Sequence, residues 1–184
     1  MQSYNNIDDI LAEEELVPVV FHKAANGVKI NDNTEKNYVE QGLRTELPFW
    51  LAHELFLRHA VSVSVPACFN QKTRVEVQAG AASVDLKSRC AYYYEFGCKI
   101  APMCDKTISI LLSYAFGVRY KEILHKAHTA SYLAASKFLS LLTNEEINMY
   151  DAAQSSMASF KKWRQGGPRL QKAAVLGRKR KPSD

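Results

Sequence analysis

The sequence predicts an α+β protein, with a small β-rich N-terminal domain followed by a mainly α-helical bundle domain. Three observations support this fold class. Short apolar segments with strand character, residues 16–21 and 61–65, lie in the first part of the chain. From residue 66 onward, apolar side chains recur at helical spacing, most clearly in residues 105–127. Gly166-Gly167-Pro168 then ends the helical pattern. We therefore predict a β-rich domain at residues 1–63, an α-helical domain at 64–165 and a basic disordered tail at 166–184.

The first domain opens with a short acidic helix and a strand. Residues 7–11 begin the helix, which pauses at Glu13-Glu14-Glu15. Residues 16–21 form the predicted strand, and Pro18 indicates an edge strand because proline has no N–H to donate. Asn26-Gly27 is a strong turn signal, so we expect residues 28–30 to return as the second strand of a hairpin. Polar residues 31–41 predict a loop.

A helix and a further strand complete the first domain. Pro48 is suited to the first turn of a helix that reaches about Arg58. Strict alternation in residues 61–65 predicts a half-buried strand, which Pro66 ends. Because this domain carries five basic and ten acidic residues, it is net negative.

The second domain is predicted to be a bundle of helices. The first runs from Phe69 to Ala82, and the second starts at Asp85 and ends at Ile100, before Pro102. A third helix starts at Asp105 and is apolar on two faces, so we expect it to be buried from two sides, within a bundle or against another subunit. One face holds Ile108, Leu111, Leu112 and Ala115, and the other holds Phe116, Tyr120, Ile123, Leu124 and Ala127.

Two more helices follow. One covers residues 132–142. A capping box at Thr143-Asn144-Glu145-Glu146 begins the other, because its Thr and Glu side chains can satisfy the free N–H groups of a helix start. The apolar stripe of this helix is Ile147, Tyr150, Ala153, Met157 and Phe160.

The net charge of +5 comes from the C-terminus alone. Residues 161–184 carry nine basic residues and one acidic residue, a net charge of +8, whereas the preceding 160 residues carry −3. A DNA-binding groove needs clustered Lys and Arg to neutralise phosphates. The folded part of the chain is therefore a poor candidate for such a groove. No apolar run is long enough for a transmembrane helix. Residues 1–9 contain neither a basic n-region nor an apolar h-region, so we expect the protein not to be secreted.

Motifs for catalysis, cofactors or metals are not found, so we expect no enzyme, no cofactor and no metal. Gly166-Gly167-Pro168 lacks the Lys-Ser/Thr of a phosphate-binding loop. His125 and His128 lie three apart on a helix and could chelate a metal, but acidic or thiolate partners are missing nearby, which favours surface residues. The Asp8-Asp9 and Glu13-Glu14-Glu15 carboxylates indicate a solvated helix face rather than a catalytic pair. The four cysteines match no zinc or disulfide spacing and suit a reducing compartment.

Tyr92-Tyr93-Tyr94 with Phe96 is the most aromatic stretch. Platforms that bind single-stranded nucleic acid interleave such residues with more Arg and Lys than this stretch has. A core or protein-interface role is therefore favoured over nucleic acid binding. Arg178-Lys179-Arg180-Lys181 resembles a nuclear localisation signal, with a solvated basic tail as the alternative.

Several segments in order resemble the subunit-three (Psf-three) family of the eukaryotic GINS complex, over about residues 7–163. The most specific is Leu47-Pro48-Phe49-Trp50-Leu51-Ala52. The others are Ile7-Asp8-Asp9-Ile10-Leu11, Val61-Ser62-Val63-Ser64-Val65-Pro66, Val84-Asp85-Leu86, Tyr92-Tyr93-Tyr94-Glu95-Phe96-Gly97 and Phe116-x-x-Arg119-Tyr120.

The resemblance implies a GINS-like fold and a non-catalytic scaffold. Family members form a heterotetramer of four paralogous subunits through their helical domains. The tetramer joins the hexameric MCM ring and the Cdc-type RecJ-like factor into the replicative helicase for initiation and elongation of DNA replication. We therefore expect a nuclear protein that reaches DNA only indirectly and has no membrane association. The alternative is a nucleic-acid-binding adaptor that uses the tyrosine stretch and the basic tail.

Within this expectation, large aromatic and apolar side chains are the candidate interface or domain-anchor residues. We expect Trp50, the single tryptophan of the N-terminal half, to be the buried anchor that fixes the first domain against the second. The full set is Phe49, Trp50, Leu51, Tyr92, Tyr93, Phe116 and Tyr120.

Overall fold

The computed structural model describes residues 6–26, 38–129 and 132–165. It confirms the predicted fold class, because a small antiparallel sheet near the N-terminus is followed by a helical bundle. The first part contains α1 (Ile7–Glu13), β1 (Leu16–Phe21), β2 (Ala25–Asn26), β3 (Tyr38–Val39), β4 (Arg44–Pro48), α2 (Phe49–Leu57) and β5 (Val61–Val63). The second part contains α3 (Gln71–Gly80), α4 (Tyr93–Ile100), α5 (Thr107–Thr129), α6 (Tyr132–Leu139) and α7 (Asn144–Arg164).

The main sheet has the strand order β4-β1-β5, and both pairings are antiparallel. β1 is therefore the central strand, and the prediction of an edge strand from Pro18 is wrong. β1 pairs with β5 only from Val19 onward, so the missing N–H of Pro18 falls where that pairing has ended. The carbonyl of Pro18 still accepts a hydrogen bond from the N–H of Ser64, at 2.9 Å. Alternate residues of β1 point into the core, since Val17, Val19 and Phe21 are buried.

The hairpin predicted around Asn26-Gly27 is only partly described. β2 pairs antiparallel with β3, which contributes Tyr38 and Val39, so the prediction of a loop is wrong for these two residues. The predicted returning strand at residues 28–30 lies outside the described residues, as do most of the loop at 31–41 and the tail at 166–184.

The second predicted helix is shorter than expected. α4 begins at Tyr93 rather than at Asp85, and residues 85–92 form turns. The carboxylate of Asp85 accepts the N–H of Ser88, at 3.0 Å, so it closes a local turn instead of starting a long helix. Arg89 then holds this segment to α3 through the side chains of Thr73 and Glu76. The following helix, α5, begins at Thr107, and the Asp105 side chain accepts the Thr107 N–H at 2.9 Å.

One apolar core joins the sheet to the first helices. It runs from Val17 and Val19 in β1 through Phe49 in α2 to Phe96 in α4 and Leu112 in α5. Phe49 and Phe96 pack edge to face, with ring centroids 6.0 Å apart. The predicted boundary at residue 63 stays a prediction, and packing is continuous across it.

A second, smaller core lies farther along α5. It packs the later turns of α5 against α6 and α7, and its buried members are Ile123, Ala127, Phe138, Leu142, Tyr150 and Ala153. Among the described residues, no helix is both long enough and apolar enough to cross a membrane.

The contact between α4 and α5 leads to a prediction about glycine substitution. A Cβ atom at Gly97 would lie 2.7 Å from Cδ1 of Leu112 and 2.9 Å from Cζ of Phe69, and both neighbours are buried in the core. We therefore expect Gly97→Ala to destabilise the chain by about 1–3 kcal/mol, the usual cost of overpacking. Gly117→Ala is the matched control, since its added Cβ would meet no atom within 4 Å apart from neighbouring residues and the backbone of its own helix.

Urea unfolding of the two variants gives the measurement. The control should gain up to about 1 kcal/mol, because alanine is favoured over glycine inside a helix. Equal stability of Gly97→Ala and the parent chain would show that α4 and α5 are not packed this closely.

Candidate assembly interface and its supporting ion pair

The capping box predicted at Thr143 is present and begins α7. The Thr143 hydroxyl accepts the N–H of Glu146 at 3.4 Å, and the Glu146 carboxylate accepts the N–H of Thr143 at 3.1 Å. This arrangement satisfies two of the N–H groups that a helix start leaves free. Glu146 is only 1% exposed, so its negative charge is buried at the start of the helix.

Arg119 of α5 neutralises that buried charge. Its Nε lies 2.6 Å from one carboxylate oxygen of Glu146, and its Nη2 lies 2.7 Å from the other, so the pair is bidentate. Nη1 donates to the carbonyls of Ala81 and Val84, both at 2.8 Å, and Nη2 also donates to Leu141 at 3.1 Å. All five N–H groups of the guanidinium therefore have acceptors.

The ion pair is one of the most buried features of the chain, since Arg119 is 2% exposed. Burial alone would lower the pKa of Arg119, but the hydrogen bonds and charge of Glu146 raise it, so the guanidinium stays charged. A buried ion pair is tolerated only when its remaining hydrogen-bonding groups are also satisfied. The carbonyl partners of Arg119 meet that condition and tie α5 to the segments before α4 and α7.

Residues beside Glu146 hold the start of α4. Oε1 of Glu145 accepts the N–H groups of Tyr94 and Glu95, both at 3.1 Å. Asn144 donates its N–H to the carbonyl of Ala91 at 2.9 Å. α4 has no cap from the side chain before it, so a carboxylate from α7 caps it instead. This is why α4 begins at Tyr93.

An aromatic series leads from the ion pair to the surface. The Tyr94 hydroxyl donates to Oε1 of Glu146 at 2.7 Å, and burial together with this carboxylate raises the pKa of Tyr94. Tyr94 packs edge to face on Phe116, with centroids 5.6 Å apart, and Phe116 stacks on Tyr120 at 5.7 Å. Phe116 and Tyr120 are 43% and 41% exposed. We call this stacked pair the α5 aromatic pair.

The two predicted faces of α5 have different surroundings. The first face is confirmed as buried, because Ile108, Leu111, Leu112 and Ala115 all lie in the first core. The second face is divided along the helix. Ile123 and Ala127 are buried in the second core, whereas the α5 aromatic pair is exposed in the chain taken by itself.

The prediction that Trp50 is a buried anchor is wrong. Its side chain is 47% exposed, while the preceding residue, Phe49, is 5% exposed and packs on Phe96. Phe49 and Ala52 are the buried residues of α2, and Leu51 is partly buried against the same core. Phe49 is thus the residue that joins α2 to α4. An interface role for Trp50 stays a prediction.

Tyr92 and Tyr93 do not face outward. Tyr93 is fully buried and packs on Phe69, with centroids 4.8 Å apart, while Tyr92 is 8% exposed. Within this chain, the core alternative applies to both tyrosines, so neither offers a surface to a partner. The nucleic-acid adaptor based on the tyrosine stretch loses its stacking platform for the same reason.

The acidic residues of α1 are not simply a solvated face, which corrects that interpretation. Lys99 of α4 forms ion pairs with Asp9 and with Glu13, the latter at 2.9 Å. Tyr92 also donates its hydroxyl to Asp8 at 3.2 Å. Hydrogen bonding to Lys99 lowers the pKa of Asp9. The acidic helix is thus held against α4 by charge pairs that periodicity could not show.

The remaining candidate residues lie apart from this region. His125 and His128 are exposed on α5. Within residues 6–26, 38–129 and 132–165, no group of three or more His, Cys, Asp or Glu side chains could hold a metal ion. The predicted localisation signal, Arg178-Lys179-Arg180-Lys181, lies outside the described residues.

Two protein families match this sequence. The GINS complex protein helical bundle domain matches residues 68–165, and the PSF3 N-terminal domain matches residues 5–57. The first match contains Arg119, Glu146 and the α5 aromatic pair. The second ends at Leu57, the last residue of α2.

Individual proteins of several eukaryotes are similar to this chain. The DNA replication complex GINS protein PSF3 of Phaeosphaeria nodorum is 25% identical over 172 residues, which cover 89% of this chain and 96% of the relative. The protein of the same name from Homo sapiens is 26% identical over 181 residues, covering 90% and 82%. The Schizosaccharomyces pombe protein is 34% identical over 112 residues, covering 60% and 65%.

The buried ion pair leads to a prediction about stability. We expect Arg119→Met to destabilise the chain by roughly 3–5 kcal/mol, because it leaves the Glu146 carboxylate buried without its partner. The double variant Arg119→Met/Glu146→Leu should stay clearly destabilised, since the carbonyls of Ala81, Val84 and Leu141 lose their donor.

Arg58→Met is the control, because Arg58 forms an exposed pair with Glu54 at 3.5 Å. It should change the free energy of unfolding by no more than about 0.5 kcal/mol. Chemical denaturation of the three variants provides the comparison. Recovery of parental stability in the double variant would show that the carbonyl contacts contribute little.

Proposed function

This chain belongs to the GINS complex protein family as a PSF3 protein, a subunit of a DNA replication complex, and we propose that it acts there as a non-catalytic scaffold. In this proposal it assembles with three paralogous subunits into a heterotetramer. The tetramer links the hexameric MCM ring and the Cdc-type RecJ-like factor in the replicative helicase. We also propose that the protein works in the nucleus, with residues 178–181 as its import signal.

The scaffold proposal rests on the exposure of the α5 aromatic pair, on a helix that the buried Arg119–Glu146 ion pair connects to α7. Aromatic side chains are enriched in protein interfaces and contribute much of their binding energy. Phe116 stacks on Tyr120 and packs edge to face on Tyr94, whose hydroxyl is hydrogen bonded to buried Glu146. Because these rings are ordered before a partner binds, less conformational entropy is lost on assembly.

The surroundings of the pair also favour a protein partner. The pair flanks the buried side of α5, next to Arg119, which is 2% exposed. Two other large side chains of α5, Ile110 and Tyr114, are 71% and 46% exposed. They lie roughly 120° around the helix from the aromatic pair, given 3.6 residues per turn. These two positions provide a matched comparison on the same helix.

Replacing the pair should reduce assembly. We expect Phe116→Ala/Tyr120→Ala to lower the yield of co-purified complex at least tenfold when the chain is co-expressed with its three sister subunits. The reason is that truncating two interface aromatics removes roughly 2 kcal/mol or more of binding energy. The measurement is the amount of each subunit recovered by affinity capture and size-exclusion chromatography.

Ile110→Ala/Tyr114→Ala serves as the control and should assemble normally. Both double variants are first compared by circular dichroism, so that loss of assembly is not confused with unfolding. A normal complex with the Phe116/Tyr120 variant, together with loss of complex in the Ile110/Tyr114 variant, would place the interface on the other side of α5. Normal complexes with both variants would refute the use of this helix.

A further inference from the structure

The C-terminal end of α7, residues 158–165, stands clear of the rest of the described structure. Every residue in this stretch is exposed, whereas Tyr150 and Ala153, earlier in the same helix, are buried in the second core. The predicted apolar stripe therefore leaves the core before Phe160, which is 50% exposed. Packing within the described residues does not explain the side chains at this end.

Two large aromatic side chains lie on this free helix end. Trp163 is 74% exposed, and its ring is 5.7 Å from that of Phe160, with an angle of 32° between the ring planes. Residues three apart lie on neighbouring positions of a helix surface, so the two rings form one platform. Exposure of a tryptophan to this degree leaves a large apolar surface in water, where a binding partner could cover it.

The charge around the platform is entirely positive. Lys161, Lys162 and Arg164 are exposed, and residues 152–165 contain no Asp or Glu. None of these three cations forms an ion pair with another residue in the described part of the chain. Cations at the end of a helix interact favourably with its dipole, which explains the lysines but not the neighbouring Phe and Trp.

Two classes of partner could use such a surface, and its composition favours one. The centre of a protein interface is depleted in charged residues, particularly lysine. Proteins that bind single-stranded nucleic acid instead place aromatic rings among Lys and Arg, so that bases stack while phosphates are neutralised. Trp50, the other tryptophan, shows the contrast, since it lies in the net negative first part of the chain.

We propose that residues 160–164 form a contact site for single-stranded nucleic acid. Bases stack on Trp163 and Phe160, and Lys161, Lys162 and Arg164 bind the phosphates. This differs from the expectation that the protein reaches DNA only through its partners. It also differs from the adaptor alternative, because the platform is at the end of α7 and not in the buried tyrosine stretch. The site does not depend on the proposed interface of α5.

Tryptophan fluorescence tests the stacking directly. In a Trp50→Phe variant, Trp163 is the single tryptophan, because the chain has two. A 20-nucleotide oligothymidylate is titrated into the full-length chain, purified with its sister subunits if these are needed for solubility; any partner tryptophans are replaced by phenylalanine. We expect saturable quenching of Trp163 that added salt reverses, and weaker binding of a 20-base-pair duplex.

Three further variants separate stacking from charge. By fluorescence anisotropy of the labelled oligonucleotide, Trp163→Ala should weaken binding roughly 5- to 150-fold, as expected for loss of one stacked base. Lys161→Gln/Lys162→Gln should reduce the slope of log K against log salt concentration by about 0.7 for each lysine. Trp50→Ala is the matched control and should leave the affinity unchanged.

Specific outcomes would overturn the proposal. Unchanged affinity in Trp163→Ala, with binding lost only when residues 178–181 are changed to Gln, would assign nucleic acid binding to the basic tail. Burial of Trp163 on subunit assembly, seen as a blue shift that oligothymidylate does not alter, would make the platform a protein interface. Equal competition by poly-glutamate would show that charge alone is responsible.

Discussion

The ion pair between Arg119 and Glu146 connects segments that are far apart in the sequence. Through a single guanidinium, Arg119 contacts the segment before α4, the turn between α6 and α7, and the first turn of α7. The Glu146 carboxylate accepts hydrogen bonds from the Arg119 guanidinium, the Tyr94 hydroxyl and the N–H of Thr143. The neighbouring Glu145 carboxylate caps α4. Since each of these groups is buried or partly buried, each would carry a desolvation cost if its partner were displaced. The helical bundle is therefore organised around a polar centre as well as its two apolar cores.

This centre also sets the surface that a partner would meet. Tyr94 is hydrogen bonded to the Glu146 carboxylate and packs on Phe116, which in turn stacks on Tyr120. The exposed rings are therefore oriented through a buried charge. A scaffold needs surfaces that keep their shape before binding, because ordering them during assembly would reduce affinity. The end of α7 is different, since Phe160 and Trp163 contact each other and are otherwise exposed within the part of the chain that the structure describes. The chain thus has one aromatic surface that is held by a buried hydrogen-bond network, the α5 aromatic pair, and one that extends from the end of α7. The two surfaces suit different partners.

Local sequence patterns were sufficient for some of these features and not for others. The fold class, the capping box and the buried first face of α5 follow from turn residues and apolar periodicity, and the structure confirms them. The start of α4 could not be predicted, because its cap is Glu145, fifty residues away. The edge-strand prediction from Pro18 was wrong for a related reason. A proline fits in a central strand where the pairing with the neighbouring strand, here β5, has already ended. Which of Phe49 and Trp50 is buried depends on which side chain of α2 faces Phe96. Hydrophobicity alone favours burial of the larger side chain, Trp50, and could not show that Phe49 takes this position.

We expect the Arg119–Glu146 pair to make α4, α5 and the first turns of α7 one cooperative unit. Native-state hydrogen exchange in increasing urea tests this most directly, because it measures the free energy of opening for each segment. We predict that the amides of α4, of α5 and of residues 147–154 in α7 open with the same free energy and the same urea dependence. Opening of residues 147–154 at a clearly lower free energy, while α4 and α5 stay protected, would show that the ion pair does not couple α7 to the other two helices.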